Sequence, residues 1–336
     1  MSLAEQLVEA WYAPRLKLGL MPLLPLAAAF GLAVRLRRTA YQRGCLASKR
    51  LAVPVCVVGN ITLGGTGKTP LVLALAQALA ARSWRPGLLT RGYGARVNAP
   101  RPARSSDCAD DVGDEALLLA ESGFPVWVGA DRAAAGTALL KEHPECSVLI
   151  ADDGLQHYRL HRDAEVLLID AQRGLGNGRL LPAGPLREPA SRLSSVSAVV
   201  WHESMSSKSV AEERWTMRLQ GETFVQLASP ENRAGAAAFA GKKLVAVAGL
   251  GHPQRFFSSL TALGLKFEAR AFPDHHAYRP EDLAFPDAEV ILMSAKDAVK
   301  CRGFADARMW FLPVRAALPE GLVELIEEKL RGSQIA

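Results

Sequence analysis

Residues 53–80 read VPVCVVGNITLGGTGKTPLVLALAQALA, and the fold follows from them. An apolar run, Val53–Val58, fits a strand buried on both faces, and the Ala/Leu-rich run Pro70–Ala81 fits a buried helix. Between them lies GNITLGGTGKTP, Gly59 to Pro70. A strand, a glycine-rich loop and a helix opened by Gly-Lys-Thr form the setting of a Walker A loop. There backbone N–H groups wrap the β-phosphate, a lysine reaches the β/γ oxygens and a hydroxyl ligates Mg²⁺. Lys68 and Thr69 fill the last two roles, and Thr62, Leu63, Gly64, Gly65, Thr66 and Gly67 supply the backbone. The pattern G-x-x-x-x-G-K-[ST] expects glycine at position 62, where this chain has Thr62. A purely structural glycine turn is the competing reading. The strand before and the helix after weigh against it and predict a nucleoside triphosphate site.

Residues 148–157, VLIADDGLQH, carry the companion signal. An apolar strand that ends in paired carboxylates presents Asp152 and Asp153 at the carboxyl edge of the sheet, where a Walker B acid holds Mg²⁺ directly or through water. An acidic turn is the plainer alternative. A GTPase is excluded on motif grounds. Ser294-Ala295-Lys296 mimics the guanine-side tripeptide, but no N-K-x-D follows a strand and Ala151-Asp152-Asp153-Gly154 lacks D-x-x-G spacing.

Outward from these two motifs, strands alternate with helices, the mark of a parallel sheet with crossover helices. Strands are expected at Gly87–Thr90, Pro125–Val128 and Val166–Ile169, and helices at Asp114–Ser122 and Arg132–Glu142. The fold class is α/β: a P-loop NTPase-like parallel sheet flanked by helices, with a second, smaller α/β lobe and a hydrophobic N-terminal helical segment. Four regions are expected. Residues 1–50 form a basic apolar segment, 51–203 the P-loop core, 204–242 a polar irregular connection, and 243–336 a C-terminal lobe that completes the site. In that lobe strands fit Leu244–Ala248, Val290–Met293 and Met309–Leu312, and helices fit Gln254–Leu263 and Leu322–Leu330. Gly249-x-Gly251 is too short for a dinucleotide site and reads as a turn. The Gly/Pro-rich Arg173–Pro189 reads as a long loop of the kind that often carries function.

The 336 residues, 49% hydrophobic and 22% charged, exclude general disorder. Five dispersed cysteines without C-x-x-C support neither a zinc ribbon nor a disulfide framework. The net charge of +6 is local: residues 1–50 hold eight Lys or Arg against two acids, and the remainder balances at 32 of each sign. A nucleic-acid protein would spread its basic charge over the folded body, so no nucleic-acid partner is expected. Leu18–Val34 is an uncharged stretch of 17 residues with arginines on both flanks. As one helix it would span roughly 26 Å, slightly less than a bilayer core. Pro22 and Pro25 disfavour a straight helix, and the flanking arginines with Trp11 and Tyr12 suit an anionic membrane surface. A core helix, a spanning helix and a signal peptide are the alternatives; acids at positions 5 and 9 speak against the last.

The motifs together resemble the tetraacyldisaccharide 4′-kinase family, the lipid A 4′-kinases of Gram-negative bacteria. The resemblance runs over nearly the whole chain: GGTGKTP at 64–70, RGYG at 91–94, DVGDE at 111–115, GADR at 129–132, DDGLQH at 152–157, LPAGPLREP at 181–189, PDHHAY at 273–278 and SAKDAVK at 294–300. Thr62 agrees with that family. Leu155 stands where it usually has Phe, and Ser294-Ala295 where Thr-Glu is common, so Ala295 is given no role. The resemblance implies transfer of the γ-phosphate of ATP, with Mg²⁺, to the 4′-hydroxyl of tetraacyldisaccharide 1-phosphate, giving lipid IVA. It also implies a membrane-embedded glycolipid as partner and the cytoplasmic face of the inner membrane as location, with the N-terminal segment as peripheral or monotopic anchor.

On the same resemblance Asp114 is the catalytic base and His275 its partner, with His276 as fallback. Without it, Asp114 reads as the N-cap of the following helix and the histidines as ordinary loop residues. Glu115, Asp152, Asp153 and Glu188 form with Thr69 a pool of Mg²⁺ ligands. Asp152 and Glu188 rank first, since Mg²⁺ takes one or two carboxylates and keeps its waters. Arg132 and Arg187 are expected to clamp a phosphate, or else to form surface ion pairs. Tyr93 is expected to stack on nucleotide or sugar, with Gln156 and His276 nearby. Two other functions stay open: a membrane-associated P-loop ATPase that drives a partner, and a nucleotide-sensing module without turnover.

Overall fold

The computed structural model describes residues 3–13, 15–203 and 215–332. The core lobe gathers β1 (Val55–Gly59), β2 (Pro86–Thr90), β3 (Arg101–Pro102), β4 (Val126–Val128), β5 (Val148–Asp152), β6 (Ala164–Asp170), β7 (Ala198–Glu203) and β8 (Trp215–Gln220). A smaller lobe holds β9 (Thr223–Gln226), β10 (Arg233–Gly235), β11 (Leu244–Ala248), β12 (Glu268–Ala271), β13 (Val290–Ser294) and β14 (Met309–Leu312). The chain then returns to the first sheet with β15 (Arg315–Ala317), giving the orders β15-β8-β7-β6-β1-β5-β2-β4-β3 and β10-β9-β14-β13-β11-β12.

β1 sits mid-sheet, parallel to β5 on one side and β6 on the other. All five residues of β1, β2 and β5 are buried, which is why these strands read as unbroken apolar runs. The register pairs Val58 with Asp152, so the first acid of the second motif stands level with the strand end where the phosphate loop begins.

One face of this sheet is covered by α3 (Lys68–Ala80), α5 (Asp114–Ala120) and α9 (Leu322–Gly332), which bring Leu71, Leu75, Leu117, Ile326 and Leu330 into one core. The other face receives α6 (Arg132–Glu142) through Leu139, with Leu155, Leu160 and Leu186 from loops. α6 has the expected bounds because its ends are chemically marked. Asp131 accepts from the backbone N–H of Ala133 and Ala134, an N-cap. A short helix, α4 (Ala109–Val112), leads into α5, and α7 (Pro253–Ala262) and α8 (Ala295–Cys301) flank the smaller sheet.

Two boundaries differ from expectation. The connection 204–242 is not irregular where it is described: it holds β8, β9 and β10, and the lobes part between β8 and β9. These strands are short and only partly buried, so they lack the apolar run that marks a central strand. Residues 204–214 of that stretch lie outside the described residues. The C-terminal lobe does not extend to residue 336 either, since β15 pairs with β8 and α9 packs on the core lobe. Apolar spacing shows which face of α9 is buried, but not which sheet buries it.

At the N-terminus, α1 (Leu3–Trp11) is followed by a 3-10 turn, Leu18–Leu23, and α2 (Leu24–Gln42). Pro22 falls inside the turn and Pro25 in the first turn of α2, where proline has no hydrogen bond to break. Leu18–Gln42 is by length and composition able to cross a membrane, at 25 residues. It also leans on the core lobe: Gly31 faces Leu180, and Arg38 donates to Ser195 Oγ at 2.9 Å. Leu18, Met21, Leu26, Leu32 and Leu36 remain exposed.

Candidate active site

The phosphate loop leaves β1 through Asn60, which is fully buried and donates to the Gly64 carbonyl at 3.2 Å. Gly67, at φ +91°, stands in the left-handed region just before α3. Any Cβ there would meet His202 Nδ1 at 2.8 Å, so the position requires glycine on two counts. His202 Nδ1 itself lies 2.6 Å from the Thr66 carbonyl. Burial, and then the Arg255 guanidinium beside it, push this histidine down to about 4, so it is neutral. Lys68 Nζ sits 3.4 Å from Asn60 Oδ1 and 3.4 Å from Asp153 Oδ1. The Thr69 hydroxyl donates to Asp152 Oδ2 at 2.9 Å.

The two motif acids differ sharply. Burial, together with the nearby Glu115 carboxylate, pushes Asp152 up to about 7. Its Oδ1 is buried without a hydrogen-bond partner, and such an orphaned oxygen beside a threonine hydroxyl is a donor set suited to a hard cation. Asp153 is part-exposed, its side chain 28% accessible; desolvation would raise its carboxyl, but Lys68 and then Arg187 hold it below the usual range. Arg187 Nη1 stands 3.4 and 3.5 Å from its oxygens.

Asp114 opens α5, as an N-terminal acid should, and its Oδ1 accepts from the Glu115 N–H at 2.8 Å. Its main partner comes from the other lobe: His275 Nδ1 lies 3.0 Å from Oδ2 and 3.2 Å from Oδ1. Burial alone would raise Asp114, but the His275 hydrogen bond and the Lys296 charge outweigh it and keep the carboxyl ionised. His275 has φ +60°, a strained setting for a residue with a Cβ that costs about 1–3 kcal/mol and persists only where neighbours enforce it. The Tyr93 ring packs on it at 4.7 Å between centroids. Between the lobes lies a cavity of about 240 Å³. Gly65, Lys68, Thr69, Glu115, Asp274 and Lys296 line its polar part, and Leu73, Leu219, Phe256, Leu312 and Val314 its apolar part.

Several expected site residues sit elsewhere or do something else. Glu188 is not an open metal ligand. Gln156 donates to Oε1 at 2.8 Å, Arg192 Nε donates to Oε2 at 3.1 Å, and the Tyr158 hydroxyl also donates to Oε2. With three donors already on this buried carboxylate, it is held as a structural ion pair and not presented toward the phosphate loop as an open ligand. His276 does not reach Asp114: its Nε2 pairs with Asp282 at 3.0 Å and its ring stacks on Phe272. Gln156 is turned inward, bridging Glu188 to the Asn60 carbonyl. Arg132 is buried and spends its guanidinium on the carbonyls of Ala130 and Asp153. Among the described residues no three His, Cys, Asp or Glu side chains converge into a metal cluster. Sequence reading passed over Asn60, Asp274 and Lys296. The first two lie inside or beside motifs already noted, and Lys296 belongs to the tripeptide set aside with the GTPase reading.

Comparison with known proteins bears on this geometry. The family model for tetraacyldisaccharide-1-P 4′-kinase matches residues 20–331. The chain belongs to the tetraacyldisaccharide-1-P 4′-kinase family. Curated members of the family include the tetraacyldisaccharide 4′-kinases of Dechloromonas aromatica, 47% identical over 99% of this chain and 100% of that one, and of Chromobacterium violaceum, 47% identical over 96% and 97%. A solved 4′-kinase from Aquifex aeolicus, described as an apo form in complex with ATP, superposes with a TM-score of 0.77 at 29% identity, covering 93% of this chain and 99% of that one. The α/β architecture with its N-terminal apolar helix is therefore that of the 4′-kinase family.

Proposed function

We propose that this protein phosphorylates the 4′-hydroxyl of tetraacyldisaccharide 1-phosphate from ATP in the cavity between its lobes, giving lipid IVA. The observation that carries the reading is the pairing of Asp114 with His275 at 3.0 Å across the lobes, beside the cavity that Lys68 and Thr69 line. The phosphate loop wraps the triphosphate, and Lys68 exchanges Asp153 for the β/γ oxygens. Thr69 and Asp152, with Asp153 and Glu115 nearby, are the residues that would hold Mg²⁺; when bound it neutralises charge on the phosphate oxygens. Asp114 accepts the hydroxyl proton as the sugar oxygen bonds to the γ-phosphorus and ADP leaves. His275 donates Nδ1–H to that carboxylate and fixes its direction. Arg187, partly exposed beside Asp153, is the remaining clamp for a phosphate.

The exposed apolar positions of α2, followed by Arg35, Arg37 and Arg38, support docking on the cytoplasmic face of the inner membrane. Acyl chains then stay in the bilayer while the sugar reaches the cavity. Because Trp11 and Tyr12 bond to Pro182 and Leu63, point changes test this better than a deletion. Leu26→Asp with Leu32→Asp should shift the protein from vesicles of anionic lipid into solution with its fold intact; unchanged partition would defeat the membrane reading. For the reaction, the protein is incubated with γ-labelled ATP, Mg²⁺ and the glycolipid. Label on the lipid's 4′ position is expected, and release only as inorganic phosphate would favour the ATPase reading.

A further inference from the structure

Ser294-Ala295-Lys296 has no guanine-side role in this chain, yet its lysine stands where the lobes meet. From the first turn of α8, Lys296 Nζ lies 3.4 Å from Glu115 Oε1, 3.7 Å from Asp274 Oδ1, 3.8 Å from Asp114 Oδ2 and 3.4 Å from His275 Nε2. Asp114 and Glu115 come from the core lobe, Asp274 and His275 from the smaller one. The lysine side chain is 18% exposed, so water competes little for its three N–H donors.

We propose that Lys296 is a positioning residue that holds the Asp114–His275 pair in register across the lobes and dictates which nitrogen of His275 carries the proton. The inference rests on the acceptor-side role given to that pair above. An ammonium group only donates hydrogen bonds. Nε2 faces this ammonium at 3.4 Å and Asp274 Oδ1 at 3.8 Å; the nearer group is a pure donor, so Nε2 presents a lone pair and Nδ1 carries the proton. Nδ1 is the atom beside Asp114, so the bond between them is donated by the imidazole to the carboxylate. The same cation offsets three carboxylates brought to one place from two lobes, next to a site that receives a triphosphate; without it their repulsion opposes the join. His275 is held at its left-handed φ by Asp114 on one side, Lys296 on the other and the Tyr93 ring.

The test is a double-mutant cycle on the full-length enzyme with tetraacyldisaccharide 1-phosphate as acceptor. Lys296→Met should lower kcat about 10–100-fold with KM for ATP within about twofold, and should add less than about threefold to the loss in His275→Ala. Lys296→Arg, which keeps the charge, should recover most of the lost kcat; if the Met variant does not fold, Lys296→Gln takes its place in the cycle. In protein labelled with ¹⁵N-histidine, His275 should show a protonated Nδ1 and a bare Nε2. Wild-type kcat in Lys296→Met, losses that multiply with His275→Ala, or a protonated Nε2 would each overturn the proposal. Wild-type turnover in both Asp114→Ala and His275→Ala would instead bring down the functional reading beneath it.

Discussion

Asp152 and Asp153 stand at the end of a strand buried on both faces, and their partners Lys68, Thr69 and Arg187 belong to the same lobe. Asp114 and Glu115 stand at the start of a seven-residue helix, and their partners His275 and Lys296 arrive from the other lobe. The first pair is placed by the sheet itself, and its geometry is set once the core lobe folds. The second exists as a site only when the lobes are joined. On the proposed mechanism, phosphate handling is thus built into one lobe, and handling of the acceptor into the contact between two.

The sharpest way to break this division is Lys68→Ala. It should abolish measurable transfer, because the β/γ charge loses its partner; retained turnover would end the phosphate-loop assignment. Asp114→Ala should lower kcat on the order of 10²–10⁴-fold with ATP affinity preserved. A collapse of ATP binding in a titration would move Asp114 to the phosphate side of the comparison. Glu188→Gln probes an acid of the core lobe that Gln156, Tyr158 and Arg192 hold in place. Arg192 keeps Glu165 as a partner, so the cost falls at the lower end of that for breaking a buried pair, about 3 kcal/mol. Thermal melting reads that loss, while Mg²⁺ dependence of the folded fraction should not move.

His202 supports the phosphate loop from behind, and its effect is on pH response. Unfolded, it titrates near its ordinary value; folded, it is held down to about 4. The unfolded state therefore takes the proton first, and stability present above pH 6.5 is lost as the pH falls toward 4, by up to about 3 kcal/mol. His202→Asn should flatten melting temperature against pH in that window, and an unchanged slope would show that the ring is not buried neutral.

The same division governs how much was legible in the sequence. β1, the loop and α3 announce themselves because an apolar run, glycines and Gly-Lys-Thr are contiguous, and everything that positions Lys68 lies within reach of that run. Asp114 and His275 are 161 residues apart, and nothing local in either segment requires the other; only the family resemblance joined them. Lys296 escaped because its contacts are also distant, and because a three-residue motif invites reading by itself. Glu188 misled for a different reason: sequence places an acid near a motif but cannot say that three donors already hold its oxygens. Strands at or next to a sheet edge, such as β10 and β8, carry too little buried surface to leave a pattern.

The smaller lobe is inserted between β8 and β15, and this gives the order of synthesis a hand in assembly. Residues 223–312 can complete their own sheet as soon as they leave the ribosome. The core lobe cannot: α3, which begins at Lys68, rests on α9, which ends at Gly332. The helix that follows the phosphate loop is made early and stays half-bare until nearly the whole chain exists. A chain cut short before Arg315 would keep every residue of the phosphate loop and still lack the floor beneath them.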